Sequence, residues 1–210
     1  MHKFDRSEHV YNNTDFSELI MDAVSFFNGT PVHPLPPPAK FRGTGVYALY
    51  YIGRVGTYSR YGELNRTAYG HPIYVGKAVP DGWRQARVTD TNNSTKLQSR
   101  LSEHSRSIAK VSDTLKPEDF MCRFAILEGP ASDMIGTIEA ALIKLHKPLW
   151  NSSLDGFGNH TPGSGRFKQA KSDWDVAHAG RAFADKCEGI PKELEKVLNN
   201  IKLHLDSLGD

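Results

Sequence analysis

Apolar residues recur along the chain with the spacing of helices in some stretches and of strands in others. Residues 15–27 carry apolar side chains every three or four positions, which predicts an amphipathic helix. Thr14 or Asp15 is suited to cap this helix, and the pair Asn28-Gly29 is suited to end it. The face expected to be buried consists of Phe16, Leu19, Ile20, Ala23 and Phe27.

Strand patterns and further helical patterns follow this first helix. Residues 45–52, 72–77 and 120–127 are short and rich in aromatic and apolar side chains, which predicts three strands. Helical spacing predicts helices over residues 96–109, 132–146, 171–184 and 191–208, and Pro148 is suited to stop the second of these. The mixture predicts an α+β fold.

Three stretches lack either period and predict connecting segments. Residues 31–38 hold five prolines and predict a stiff extended strap. Residues 53–70 are rich in glycine, tyrosine and polar residues, which predicts an inserted loop or hairpin. Residues 151–165 hold glycines and prolines at close spacing and predict a long surface loop.

The composition is that of an ordinary globular protein, with 39% hydrophobic and 24% charged residues. Apolar runs such as residues 46–52 are shorter than the ~20 residues that cross a bilayer, so we expect no membrane association. Residues 1–6 lack the apolar core of a secretion signal. Cys122 and Cys187 lie far apart without zinc-site spacing, which favours two reduced thiols in a cytoplasmic protein.

Positive charge is concentrated in one part of the chain. The formal net charge is only +2, yet residues 40–110 hold 12 Lys and Arg against 4 Asp and Glu, a local balance of +8. A surface that faces phosphates requires such a concentration. A solvated basic face with no ligand is the alternative interpretation of the same segment.

Six polar residues stand in an order that suggests a catalytic site: Tyr47, Tyr74, Arg100, His104, Glu139 and Asn151. Arg100 and His104 are four apart on a predicted helix and therefore share a face. Glu139 stands in an apolar helical stretch, where a buried acid is costly unless it is paired or binds a metal. Taken singly, a strand tyrosine is most often structural and a helical Arg/His pair is often solvated; the ordered set is more specific.

This ordered set resembles the GIY-YIG nuclease family. Gly45-Val46-Tyr47 matches the first half of the family's name and Tyr74-Val75-Gly76 matches the second. The resemblance implies that Arg100 and His104 form the basic catalytic helix and that Glu139 is the metal-binding glutamate. Pro148 and Asn151 correspond to the terminal Pro-x-x-Asn of the family.

A literal Tyr-Ile-Gly at residues 51–53 competes for the second half of the motif. Tyr51 lies four residues after Tyr47 and would share its strand and its side of the sheet. The family needs two tyrosines on neighbouring strands of a hairpin, and Tyr74 fits that requirement better. The 27 positions between Tyr47 and Tyr74 exceed the usual short turn, so residues 53–72 are interpreted as an insertion.

The resemblance divides the chain into three parts. Residues 44–151 correspond to a small GIY-YIG core with a mostly antiparallel three-stranded sheet flanked by helices. Residues 1–43 form an N-terminal helix and proline-rich strap that is a candidate dimer contact. Residues 152–210 are expected to carry a DNA-recognition loop and C-terminal helices.

Residues 74–80, 82–85 and 155–163 also resemble GIY-YIG restriction enzymes of Type II that cut CCGCGG. That similarity implies a site-specific endonuclease of the bacterial cytoplasm that cuts double-stranded DNA. A palindromic target further implies a homodimer, because each half-site must meet the same reading surface. The alternatives are a GIY-YIG homing or repair nicking nuclease and a nucleic-acid-binding module without catalysis.

Each catalytic candidate is assigned a role in phosphodiester hydrolysis. Glu139 is expected to bind Mg²⁺, with Mn²⁺ as a substitute, and Arg100 is expected to stabilise the transition-state charge. Tyr47 is the favoured base, with His104 accepting its proton. Tyr74 would orient the water or the phosphate, and the two tyrosines could exchange roles.

The remaining candidates are expected to contact DNA or support the site. Lys77 is a candidate phosphate contact, and Asn151 is expected to anchor the loop; a plain capping role for Asn151 is an equal alternative. Arg84 and Arg87 are expected to contact phosphates. The candidates for base reading, each of which could instead contact phosphate only, are Asn159, His160, Arg166, Lys168, Lys171 and Arg181.

Overall fold

The structure is a computed structural model that describes residues 4–83, 93–159 and 167–209. The strands in these residues are β1 (Val32–Pro34), β2 (Gly45–Tyr51), β3 (Tyr74–Ala78) and β4 (Phe120–Ile126). The α-helices are α1 (Thr14–Gly29), α2 (Ser59–Leu64), α3 (Lys96–Ala109), α4 (Ile135–His146), α5 (Leu149–Ser152), α6 (Asp173–Ala177) and α7 (Leu194–Ser207). Short 3₁₀ helices span Arg6–His9, Pro117–Asp119, Gly129–Met134 and Ala184–Lys186.

The four strands form one antiparallel sheet in the order β1-β4-β2-β3. The three strands predicted from the sequence are all present, and the α+β fold is confirmed. The sheet is one strand wider than predicted because β1, from the N-terminal segment, pairs along the edge of β4. β2 lies at the centre, with Tyr47 opposite Gly76 on one side and Phe124 on the other.

β2 is buried along its whole length because both of its faces are covered. Successive strand side chains point to opposite faces, so Tyr47, Leu49 and Tyr51 share one core and Val46, Ala48 and Tyr50 share the other. The first core receives side chains from α3, α5, α6 and α7. The second core receives them from α1 and α4. Tyr47 therefore points towards α3 and the C-terminal layer.

The first helix is longer than predicted and is capped differently. Asn13 is its N-cap, because its side chain accepts a hydrogen bond from the Asp15 amide at 2.9 Å, and Thr14 is already helical. Phe16 and Leu19, which were expected to be buried, are exposed. The helix reaches the core from Ile20 onward: Val24 and Phe27 are buried, and Ile20 and Ala23 are partly buried against the same core.

Two segments before β3 contain regular structure that the sequence pattern did not predict: the proline-rich residues 31–38 and the glycine-rich residues 53–70. The strap includes β1, since proline is tolerated on an edge strand, where its missing N–H costs little. The predicted loop or hairpin at residues 53–70 instead contains α2. Tyr58 and Tyr61, at and within this helix, are buried against the core, which fixes the insertion to the body of the protein.

The predicted surface loop at residues 151–165 is also corrected where the structure describes it. Asn151 lies inside α5, and the side chains of Leu154 and Phe157 are buried. The helix predicted at 171–184 is reduced to α6, followed by the short 3₁₀ helix, and α7 begins at Leu194. The other helical predictions hold: α3 matches residues 96–109, and α4 ends at His146 with Lys147 in the left-handed conformation before Pro148.

Cys122 and Cys187 are free thiols, as expected. Within the described ranges, every helix is too short or too polar to cross a membrane.

Candidate active site

A buried hydrogen bond joins the first motif tyrosine to the helical histidine. Tyr47 Oη lies 2.7 Å from His104 Nε2. β2 directs Tyr47 towards α3, and His104 lies on the buried face of α3 between Leu101 and Ile108. The two exposed fractions are 0% for Tyr47 and 2% for His104. The polar ends of both side chains thus satisfy each other inside an apolar environment.

Burial makes the Tyr47 hydroxyl a weaker acid than an ordinary tyrosine. It raises the pKa of Tyr47 well above its ordinary value, and the neighbouring Tyr74 raises it further. The positive charge of Arg100 and a hydrogen bond with Arg100 act in the opposite direction. Tyr47 is therefore a neutral phenol near pH 7, and its direct hydrogen-bond partner is an imidazole nitrogen that can accept a proton when the ring is neutral.

Tyr74 and Arg100 complete a cluster around this pair. The Tyr74 ring centroid lies 6.2 Å from that of Tyr47 and 5.3 Å from that of His104. Burial raises the pKa of Tyr74, while the charge of Arg100 lowers it. Arg100 Nη2 donates to the Gly158 carbonyl at 2.9 Å and Nη1 forms an ion pair with Glu103 at 3.2 Å. One guanidinium thus connects both phenols with the loop after α5.

Glu139 is paired and partly exposed, rather than buried as its apolar surroundings had suggested. Its Oε2 atom lies 2.6 Å from Lys77 Nζ, and the side chains of Glu139 and Lys77 are 18% and 35% exposed. Lys77 Nζ also lies 5.9 Å from the centre of the Trp83 ring. The carboxylate is close enough to raise the pKa values of Tyr47 and Tyr74. It therefore belongs to the same site as the tyrosines.

Asn151 fixes the second motif strand to the end of the site. Its Oδ1 atom accepts a hydrogen bond from the Val75 amide at 2.8 Å, and its Nδ2 atom donates to the Val75 carbonyl at 2.9 Å. Both polar groups of one strand residue are held by a single amide side chain. Asn151 was predicted to anchor the loop; its hydrogen bonds instead hold β3, the strand that carries Tyr74.

Two glycines are required by the close packing of the tyrosines. A Cβ atom on Gly76 would lie 2.5 Å from Tyr47 Oη, and one on Gly158 would lie 2.5 Å from Tyr74 Oη. A side chain at either position would push a phenol away from its partners. The glycine of Tyr74-Val75-Gly76 is thereby explained by the neighbouring strand, since Gly76 and Tyr47 are register partners.

A cleft of about 470 Å³ opens beside this cluster, between β3 and the start of α3. Its lining includes Lys77, Lys96, Ser99, Arg100 and Glu103. A slightly larger cleft, of about 530 Å³, lies between α2 and α7 and contains none of the predicted site residues. The smaller cleft is the relevant one because two of its cations, Lys77 and Arg100, contact the catalytic candidates.

The site offers the carboxylate of Glu139 beside Lys77, while the carboxylate of Glu103 pairs with Arg100 at the cleft. In the described parts of the chain, no three His, Cys, Asp or Glu side chains are grouped to hold a metal by themselves. A lone carboxylate fits Mg²⁺, which retains several waters and uses substrate phosphate oxygens as ligands. The residues present are therefore compatible with a magnesium ion that is completed by the substrate.

The predicted DNA contacts are only partly within the described residues. Asn159, at the end of the loop that lies on the site, and Lys168 are both exposed. Arg84, Arg87, His160 and Arg166 lie outside the described residues.

Two of the candidates for base reading are already paired with protein groups. Arg181 is 2% exposed and forms an ion pair with Asp175 at 2.6 Å. The prediction that Arg181 reads bases is wrong, because a buried guanidinium that is bonded to Asp175 and to backbone carbonyls cannot reach DNA. Lys171 pairs with Asp185 at 2.7 Å on the surface.

Phe157 is the site residue that the sequence pattern missed. Its ring stacks on His104, with centroids 4.6 Å apart and an angle of 20° between the planes, and meets the edge of Tyr74 at 5.0 Å. The available signal was an aromatic residue between two glycines, Gly156-Phe157-Gly158, which indicates that this part of the loop packs against the protein. Arg181 gave no such signal, because its partners are carbonyl groups distant in sequence.

Comparison with known protein families gives a match. A family model described as the Eco29kI GIY-YIG domain matches residues 39–205. No curated protein matches the chain. The matched region includes every member of the cluster, from Tyr47 to Asn151, together with the loop that carries Phe157 and Gly158.

Proposed function

The chain belongs to the GIY-YIG restriction endonucleases of the Eco29kI family, and from that premise we propose that it is a Type II enzyme. In this proposal it hydrolyses both strands of duplex DNA at CCGCGG, depends on Mg²⁺ and acts as a homodimer in the bacterial cytoplasm. The observation that carries the catalytic part is the Tyr47–His104 hydrogen bond beside the cleft that Arg100 and Lys77 line.

The proton path follows from the state of Tyr47. Because burial raises its pKa, the phenol would not act as a preformed phenolate. Tyr47 would take a proton from the attacking water while its own proton passes to His104 Nε2, which is already within hydrogen-bond distance at 2.7 Å. The attacking hydroxide forms the new P–O bond as the P–O3′ bond breaks. This transfer requires that His104 Nε2 carries no proton beforehand.

The cations of the site would stabilise the charge that develops on the phosphate. Arg100 keeps its charge at any working pH and reaches both phenols, so it is suited to a non-bridging oxygen in the transition state. Glu139 would hold Mg²⁺, which supplies a Lewis acid for the phosphate and the departing oxygen. Lys77, now paired with Glu139, would contact the phosphate when the carboxylate is engaged.

The target and the oligomeric state rest on the resemblance and on symmetry. Each chain offers one catalytic cluster, and a palindrome presents the same half-site twice, so two chains would deliver one cut to each strand. Several large apolar side chains of α1 are exposed, among them Phe16, Leu19 and Met21. They make the N-terminal segment the favoured dimer contact.

The test is cleavage mapping on plasmid DNA. Purified protein is incubated with Mg²⁺ and a plasmid that carries one CCGCGG site, beside a matched plasmid with one base pair of that site changed. The expected result is a single double-strand break at the site and none in the control plasmid. Cuts at random positions would remove the restriction assignment, and cuts at another discrete sequence would replace only the target.

A further inference from the structure

Arg181 is a buried guanidinium whose donors are directed at one loop. Nη1 donates to the carbonyl of Phe157 at 3.0 Å and to that of Asn159 at 3.4 Å, and Nη2 donates to the carbonyl of Gly156 at 2.9 Å. Nε donates to Asp175 at 2.6 Å. Its charge is thus balanced by a single carboxylate, while the fork of the side chain holds three backbone groups.

The neighbours of Arg181 prevent it from moving. The guanidinium carbon lies 4.3 Å from the centre of the Trp174 ring and 4.9 Å from that of Phe183. Asp175 is itself held by Ser172, whose hydroxyl donates to the second carboxylate oxygen at 2.7 Å. Aromatic side chains and a fixed carboxylate therefore set both the place and the orientation of the fork.

The loop held by Arg181 forms one wall of the catalytic site. The Phe157 ring stacks on His104, and the Gly158 carbonyl accepts a hydrogen bond from Arg100. The Gly158 backbone also lies directly against the Tyr74 hydroxyl, since a Cβ atom there would be 2.5 Å from it. Phe157 and Gly158 thus contact three catalytic candidates: Arg100 and His104 from α3, and Tyr74 from β3.

We propose that Arg181 is a positioning residue for catalysis, acting through residues 156–159 to hold Arg100, His104 and Tyr74 in their working geometry. The inference rests on the proposed nuclease function. A guanidinium is required because its donors lie in one plane at fixed angles, so it can bind the carboxylate and three carbonyls together. A lysine ammonium can keep the ion pair with Asp175 but cannot span the loop.

The test uses Arg181→Lys and separates binding from chemistry. Cleavage is measured in a single turnover with every DNA site occupied, and the dissociation constant for the same duplex is measured without metal. Because a misplacement of about 1 Å can slow a reaction on the order of 100-fold, we expect a loss of ~10- to 100-fold in the cleavage rate. The dissociation constant should stay close to the wild-type value.

Tyr58→Phe is the matched control for a general loosening of the C-terminal layer. Tyr58 Oη forms a buried 2.7 Å hydrogen bond with His178, in the same layer as Arg181 but outside residues 156–159. This variant should lower the melting temperature and leave the single-turnover rate unchanged. Asp175→Asn/Arg181→Gln is the second test variant if Arg181→Lys does not fold, because it replaces the buried ion pair with a neutral pair. It should show the same loss of rate.

The outcomes distinguish the inference from the function on which it rests. Wild-type cleavage with a slow, normally binding Arg181 variant supports the inference. Wild-type rates in the Arg181 variants would overturn it and leave the nuclease assignment intact. An equal loss of rate in Tyr58→Phe would also overturn it, since the effect would then be one of stability. A wild-type protein that cuts no DNA would remove both.

Discussion

Three tyrosines lie on the same face of the sheet, Tyr47, Tyr51 and Tyr74, but their hydroxyl groups have different partners. Tyr47 is bonded to His104. Tyr51 donates to the Val55 carbonyl at 3.0 Å, inside the insertion. The Tyr51 hydroxyl therefore has a structural partner in the insertion. This supports the assignment of Tyr74, rather than Tyr51, to the second half of the GIY-YIG motif.

The first prediction compares the three tyrosines by removal of one oxygen atom each. Tyr47→Phe and Tyr74→Phe should each slow cleavage at least ~100-fold, the usual scale for a lost acid–base or orienting group. Tyr51→Phe is the control and should cut at nearly the wild-type rate. Single-turnover cleavage with saturating enzyme checks all three. An inactive Tyr51→Phe beside an active Tyr74→Phe would show that the alignment is wrong.

The second prediction concerns the carboxylate. Glu139→Ala should abolish cleavage and leave DNA binding at least as tight, because the substitution removes a negative charge near the phosphate and releases Lys77 from its 2.6 Å ion pair. That pair is partly exposed, so its loss should cost only about 1 kcal/mol or less of stability.

Glu63→Ala is the matched control for Glu139→Ala, because Glu63 forms an exposed ion pair with Arg60 on α2, away from the site. Cleavage assays in Mg²⁺ and gel-shift titrations without metal check both variants. Full cutting by Glu139→Ala in Mg²⁺ would refute the metal assignment.

At the scale of elements, α6 and the residues after it are tied to the core by a histidine that stays neutral. His178 Nε2 is bonded to Tyr58 Oη at 2.7 Å, and Nδ1 is bonded to Thr114 Oγ1 at 2.9 Å. Burial, and then the positive charge of Arg181, lower the pKa of His178 to about 3. Protonation would add a second buried cation beside Arg181.

The third prediction is the pH dependence that follows. The pKa of His178 is lower in the folded than in the unfolded chain, so the unfolded chain binds the proton first as pH falls. Its stabilising contribution is complete above about pH 6.5 and declines towards pH 3 at about 1.4 kcal/mol per pH unit.

Urea denaturation of the wild type and of His178→Gln between pH 7 and 4 checks this dependence. Because carboxylates also contribute to acid unfolding, the comparison is the difference in slope between the two proteins. The slope of the variant should be shallower by about one proton; equal slopes would contradict the lowered pKa of His178.

Elements were predictable from sequence where a period was long enough to be recognised. α3 has four buried positions at helical spacing, and its bounds were predicted without error. β1 has three residues including a proline, and α2 has six residues, so neither shows a usable period. Their structure comes from tertiary partners, β4 for the first and the aromatic core for the second.

The same limit applies to the candidate site. The ordered motif predicted which side chains meet, and the structure brings Tyr47, Tyr74, Arg100 and His104 into one cluster. The Lys77–Glu139 pair and the Arg181 contacts were not predictable, because they join residues 62 apart and 22 to 25 apart with no local signal.

At the scale of the whole molecule, the sheet separates two layers of helices. α1 and α4 lie on one face, and α3 with the C-terminal elements lies on the face of Tyr47. Of the cations in residues 40–110, Lys77 lies on β3, and Lys96, Arg100 and Arg106 lie on α3. Tyr47, Arg100, His104 and the loop after α5 thus lie on the α3 side of the sheet, whereas Glu139 belongs to α4 on the other side.

The fourth prediction separates affinity from specificity. Removal of charge at Arg84 or Arg87 should weaken the binding of specific and non-specific duplexes alike and reduce the salt dependence, as expected for phosphate contacts. Removal at Arg166, if it contacts bases, should narrow the difference between CCGCGG and a one-base variant, which is expected to be ~1–3 kcal/mol per mismatched pair. Fluorescence anisotropy at several salt concentrations measures both quantities. If all three variants lose the same affinity for specific and non-specific duplexes, Arg166 contacts phosphate and does not read bases.

The last prediction is that two chains occupy one site. Two-fold symmetry in the DNA requires it if each chain reads a half-site, and the exposed apolar side chains of α1 supply a surface that a dimer would bury. Sedimentation on a short duplex with one site should show a complex of two chains. Leu19→Glu should reduce that complex to one chain and lower double-strand cleavage, whereas Leu203→Glu, a change at a similarly exposed position on α7, should not. A single chain that cuts both strands equally well would contradict the dimer, and loss of the dimer in Leu203→Glu alone would move the contact from α1 to α7.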